Sequence, residues 1–120
     1  MKNNTKQIGQ LTEALAEQYL IKQGLHCINK NFSNRQGEID LIMRDQQTLV
    51  FVEVKYRQNN HFGGAISAIS RQKQQKIKQC AIFYLQHVGL NEYNTPCRFD
   101  VITLQGNIEN TQITWLKNAF

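Results

Sequence analysis

Near the N-terminus, Ile8, Leu11, Leu15 and Tyr19 recur at intervals of three and four. That spacing lines one face of a helix and predicts one from Thr5 to Gln23, with Thr5 as N-cap and Gly24 in the C′ position. Leu25 to Phe32 is read as a short strand, and Ser33 to Gln36 as a polar turn. The pattern then changes to two runs of β-formers. Gly37 to Arg44 and Thr48 to Arg57 read as two strands of one hairpin, joined through Asp45, Gln46 and Gln47. Gln58 to Gly64 is a loop by composition. Ser70 to Val88 returns to helical spacing, with Ile77, Ala81, Tyr84, Leu85 and Val88 as its stripe and Gly89 closing it. Asn91 to Pro96 is a connection, and Arg98 to Leu104 and Ile108 to Leu116 are strands around a turn at Gly106-Asn107. The predicted order is one helix, three strands, one helix, two strands.

The hairpin raises a question of cost. Side chains alternate across a strand, so Glu38, Asp40, Ile42 and Arg44 share a face, as do Leu49, Phe51, Glu53, Lys55 and Arg57. A turn centred between Gln46 and Gln47 sets Asp40 opposite Glu53 and Glu38 opposite Lys55. Like charges directly opposed in a sheet are destabilising. Three things offset such repulsion: exposure to water, a proton retained on one acid, or a divalent cation between them. The opposite face carries Ile39, Leu41 and Met43 against Val50, Val52 and Val54, and is expected to be the core face. The acidic face is then only partly covered. It also holds Phe51, Leu49 and Ile42, which places the carboxylates beside apolar groups. Oxygen ligands in such surroundings suit Mg²⁺ or Mn²⁺ better than zinc. The plain alternative is a solvated outer face of a hairpin.

Composition narrows the class. With 120 residues, 41% of them hydrophobic, 19% charged and a single proline, the chain has the makings of one folded domain rather than a disordered segment. Fourteen Lys and Arg against nine Asp and Glu leave a formal charge of +5, a bias toward anionic partners. Between Glu53 and Glu92 there is no acid, while Lys55, Arg57, Arg71, Lys73, Lys76 and Lys78 all fall there. This run would hold a phosphate backbone near the carboxylates, although a solvated helix face is the common reason for such a run. Cys27, Cys80 and Cys97 form no CxxC pair, so neither a disulfide framework nor a zinc knuckle is indicated. No signal peptide or membrane-length apolar run is visible, and a cytoplasmic location is expected. His26, His61 and His87 share no ligand spacing, and no Gly-rich phosphate loop is present.

Asp40, twelve further residues and then Glu53-Val54-Lys55 resemble the D-x(n)-(D/E)-x-K core of the PD-(D/E)XK nuclease superfamily. More closely, Gly9, Glu13, Ala16 and Leu20, then GEIDLI at 37–42, FVEVK at 51–55, Arg57, Phe62-Gly63, Lys73, Ala81 and Phe99-Asp100-Val101 resemble the bacterial YraN-like family. The resemblance implies a restriction-endonuclease-like αβββαβ core. It also implies metal ligation by Asp40 and Glu53 with the Val54 carbonyl as a third ligand, and a role for Lys55 in orienting the attacking water and stabilising charge on the phosphate. Glu13 matches a first-helix acid similar to the extra ligand of archaeal Holliday-junction resolvases. Two positions depart from the pattern: Thr12 stands where Gly is frequent, and Ile39 replaces the Pro of the motif.

Each candidate has a plainer reading. Lys55 would pair with Glu38, Glu13 would be a solvated helical acid, and Asp100 would bond to backbone or Arg98. The expectation is one α/β domain over residues 1–120, a mixed five-stranded sheet flanked by helices. Its expected activity is metal-dependent, endonuclease-like hydrolysis of DNA, branched DNA included, with Mg²⁺ or Mn²⁺ as cofactor. Asp40, Glu53, Lys55 and Glu13 form the site, and Arg57, Arg71, Lys73 and Lys76 contact nucleic acid, DNA ahead of RNA. A homodimer is compatible with this reading and a membrane is not expected. The rival is a nucleic-acid-binding module that keeps the fold and cuts nothing; a small phosphate ester as substrate is a third reading.

Overall fold

The computed structural model describes residues 4–58 and 69–120. Helix α1 (Thr5–Lys22) is followed by strands β1 (His26–Asn34), β2 (Gly37–Asp45) and β3 (Thr48–Arg57), helix α2 (Arg71–His87), and strands β4 (Cys97–Gln105) and β5 (Gln112–Leu116). The predicted loop beyond Gln58, with His61 and Phe62-Gly63, lies outside the described residues.

The five strands form one sheet in chain order. Neighbours are antiparallel except β3 and β4, which run parallel. Parallel neighbours need a long crossover, and α2 lies in it. The sheet is therefore mixed, as expected. The β2–β3 turn has the predicted register, with Asp45 opposite Thr48 and Leu41 opposite Val52. Gln46 takes φ +56° to close it in two residues.

Both helices begin on side-chain caps. Asn4, not Thr5, caps α1: its side chain accepts from the Gln7 amide at 2.8 Å while the Asn4 amide donates to Gln7 Oε1 at 3.0 Å. Ser70 Oγ accepts from the Lys73 amide at 3.1 Å at the start of α2.

The expected division into a core face and a half-open face is corrected. Both faces are covered. On one, Leu41, Met43, Val50, Val52, Ile102 and Leu104 pack with Ala16 and Leu20 of α1. On the other, Ile42, Leu49 and Phe51 pack with Ile77, Cys80, Ala81, Tyr84 and Leu85 of α2. The buried line of α1 is also rotated from the expected stripe. It runs through Thr12, Ala16 and Leu20, with Leu15 and Tyr19 at its margin and Leu11 exposed. Small residues at 12 and 16 let the helix approach the sheet, a cue that apolar spacing alone does not carry.

Ile39 is a further correction: it joins the α2 side together with Phe32. The β1–β2 pairs pass from Lys30↔Leu41 to Phe32↔Ile39, and between them Asn31 adopts φ +54°. Asparagine tolerates this left-handed conformation better than most residues. The alternation of β2 is broken between Ile39 and Leu41, which pack in different clusters, Ile39 on the α2 side and Leu41 on the α1 side.

Candidate active site

The site forms where β2 and β3 part. Their pairing extends from Asp45↔Thr48 to Leu41↔Val52. One residue further along β2, Asp40 turns its carboxylate to the neighbouring strand, and Oδ2 accepts from the Val54 amide at 2.8 Å. A side chain thus takes the donor that a backbone carbonyl would otherwise satisfy, and the acid is locked to β3.

Glu53 follows Phe51 and Val52 on β3 and is only 5% exposed. An ionised carboxylate this deep needs partners. Among the described residues it has two on one oxygen: Lys73 Nζ of α2 at 2.9 Å and Lys55 Nζ at 3.7 Å from Glu53 Oε1. Lys55 therefore pairs with Glu53 rather than with Glu38, the alternative that the register also allowed.

The electrostatics reflect crowding of like charge away from water. Asp40 is pushed up to about 7, first by burial and then by the charge of Glu53, against the stabilising Val54 amide. Glu13 on α1 is also raised, mainly by burial, with contributions from Glu38 and Glu53 opposed by a hydrogen bond from Asn31. Lys55 is lowered by burial and by neighbouring Lys73. For Lys73 burial acts downward, but bonds to Glu53 and Lys55 and the charges of Glu53 and Asp40 outweigh it and leave it raised.

Asp40, Glu53, Lys55 and Lys73 are thus brought together, and Glu13 lies within electrostatic reach. Arg57 is half-buried farther along β3, and Arg71 and Lys76 are exposed on α2. A cleft of about 280 Å³ opens beside them, lined by Gly37, Glu38, Ser70, Gln72, Lys73, Lys76 and Ile77. The larger surprise is Lys73. Its place in a cationic run says nothing about which strand residue it meets; only the docking of α2 decides that.

Asp100 takes the plainer role. It is fully buried, receives Arg98 Nε at 3.1 Å, Trp115 Nε1 at 2.9 Å and the Asn118 amide at 2.9 Å, and has none of the site residues among these partners. His26 and His87 are exposed.

Among the described residues the donor set available to an ion is oxygen only, from Asp40 and Glu53, which fits a hard divalent cation. Among the described residues, no group of three or more His, Cys, Asp or Glu is gathered as a metal cage. Two carboxylates would have to be supplemented by backbone carbonyl or water. Asp40 engages the Val54 amide through Oδ2.

Fold and site together define a class, a single α/β domain with a mixed five-stranded sheet and an acid-lysine cluster at the parting of two central strands. Within that class the chain belongs to UPF0102, the YraN-like uncharacterised protein family, whose model matches residues 12–104. A UPF0102 protein of Colwellia psychrerythraea is 65% identical over 112 residues, covering 93% of this chain and 87% of its own. A relative in Photobacterium profundum is 48% identical, covering 97% and 91%, and one in Pseudomonas syringae is 42% identical, covering 99% and 97%. Among the described residues no helix is long and apolar enough to cross a membrane.

Proposed function

We propose that this protein is a Mg²⁺- or Mn²⁺-dependent, endonuclease-like phosphodiesterase acting on DNA, branched DNA included. One observation carries the reading: Asp40 and Glu53 are held beside Lys55 at the open end of the β2–β3 pair, with Asp40 fixed by the Val54 amide. DNA rather than RNA rests on the resemblance to the PD-(D/E)XK superfamily.

In this reading Asp40 and Glu53 hold the ion, with the Val54 carbonyl as a candidate third ligand. The bound ion supplies charge stabilisation at the phosphate and eases deprotonation of the attacking water. Lys55 projects from the same face of β3 as Glu53, so its ammonium can orient that water or meet a non-bridging oxygen. Glu13 adds a further acid near the pair. Arg57, Arg71 and Lys76 would contact the phosphate backbone in this reading.

A second reading, a nucleic-acid-binding module without cleavage, is favoured by the ion pair between Lys73 and Glu53, since one carboxylate already has a cation. Incubation with linear, nicked and branched DNA in Mn²⁺ separates the two. Cleavage by the wild type that is lost in Glu53→Ala supports the enzyme. Cleavage surviving in that variant exposes a contaminant. Binding of all three DNAs without cleavage, and no gain in thermal stability with Mn²⁺, makes the binding module the better reading.

A further inference from the structure

Glu53 Oε1 accepts from the Lys73 ammonium at 2.9 Å, the shortest ion pair of the site. Lys55 lies on the same strand two residues on, so its proximity follows from strand geometry. Lys73 comes from a different element. Its backbone is fixed, because the amide donates to the Ser70 cap and α2 is anchored through Ile77, Cys80, Ala81, Tyr84 and Leu85. Its side chain is not similarly enclosed, being 43% exposed. It also borders the cleft shared with Lys76 and Gly37, so its ammonium has somewhere else to go.

Charge at the buried acid leads to the same residue. Among the described residues Glu53 Oε1 meets two ammonium groups, Lys55 and Lys73, while Asp40, Glu13 and Glu38 add acidic groups nearby. A divalent cation bound by Glu53 would have to share that oxygen with two ammonium groups already in contact with it, which is unfavourable where water is largely excluded. One ammonium must retreat. Lys73 is the one with an exposed side chain and a neighbouring cleft.

We propose that Lys73 is a built-in counter-ion of Glu53, whose ammonium occupies the position of a divalent cation and must withdraw into the cleft beside Lys76 before Mg²⁺ or Mn²⁺ is held. The inference rests on the metal-binding reading above. It makes Lys73 a positioning residue: it keeps Glu53 satisfied while the site is free of metal, and weakens metal affinity as the direct consequence. Once withdrawn, its charge lies on the cleft wall, where a phosphate would meet it.

The test is calorimetric titration of MnCl₂ into the wild type, Lys73→Met, Lys73→Arg and Lys76→Met, each first shown by circular dichroism in EDTA to be folded. Lys73→Met should bind Mn²⁺ about tenfold more tightly than the wild type, the factor expected when one charged hydrogen bond no longer competes. Lys76→Met removes the same charge from the cleft wall but leaves the Lys73–Glu53 pair in place, so it should tighten binding by less than Lys73→Met does. Lys73→Arg retains a cation at Glu53 and should bind no more tightly than the wild type. This last comparison stands even if Lys73→Met fails to fold. Unchanged or weaker affinity in Lys73→Met overturns the proposal, as does equal tightening in Lys76→Met or tightening in Lys73→Arg. Absence of Mn²⁺ binding in every folded variant overturns the metal-binding reading itself, an outcome distinct from the others.

Discussion

At the scale of single residues, Asp40 and Glu53 solve the same problem differently. Glu53 is deeply buried and is met by two ammonium groups, whereas Asp40 has a backbone amide and a neighbour of like charge. Asp40 accordingly holds its proton to about pH 7 in the folded protein, against 3.8 in its ordinary state. Between those values the unfolded chain binds fewer protons than the folded one, so this group makes metal-free stability fall as pH rises from about 4 to 7. Asp40→Asn keeps an acceptor for Val54 and removes the charge. It should stabilise the metal-free protein by ~1–3 kcal/mol at pH 8 and much less at pH 4, measured by urea unfolding in EDTA. A loss of stability at pH 8 would show that the carboxylate is better accommodated than its surroundings indicate. Glu53 and Lys55 were legible as one group because strand alternation has a period of two, and the turn register brought Asp40 to the same end of the hairpin. The expected Asp40–Glu53 opposition is corrected, since the ladder stops at Leu41↔Val52 and Asp40 reaches the Val54 amide instead. The closeness of Lys73 was not legible, because it depends on how a helix docks many residues later.

At the scale of elements, α2 combines two kinds of lysine. Lys76→Ala should lower the salt dependence of DNA binding by about one unit of slope and leave stability nearly unchanged, the behaviour of an exposed phosphate contact. Lys73→Ala removes a partner of a buried acid and should cost ~1–3 kcal/mol in the metal-free protein, reduced from the fully buried case because Lys73 is partly in water. Paired salt titrations and denaturant melts distinguish them. In β4, Asp100→Ala should cost ~1–3 kcal/mol by denaturant unfolding, since it deprives the Trp115 indole, the Asn118 amide and Arg98 Nε of their acceptor while Arg98 keeps its pair with Asp45. Element order and type were readable from periodicity, while ends and faces were less so. The predicted strand at Ile108 begins instead at Gln112, because Asn107 organises a turn by accepting from the Glu109 amide through its side chain and the Asn110 amide through its carbonyl. Coverage of both sheet faces was missed because charged residues at one end of a strand disguised the apolar half of the same face.

At the scale of the whole molecule, the chain divides unequally about β3. The three strands β1, β2 and β3 pair with immediate sequence neighbours, whereas β4 reaches β3 in parallel only after the crossover containing α2. Contacts between distant parts of a chain carry a larger loop-closure cost, which has consequences for time rather than for stability. The meander is expected to be structured in the folding transition state and the docking of α2 to follow. Val50→Ala, within the meander, should therefore slow refolding, while Leu85→Ala, costing ~2–5 kcal/mol, should chiefly hasten unfolding, as read from the two arms of a stopped-flow chevron. The opposite partition would mean that the helix nucleates the sheet. On the expected schedule, Glu53 is carried into place before Lys73 arrives, so each newly made chain passes through an interval in which the buried acid is still open to solvent and its final counter-charge is the last to report.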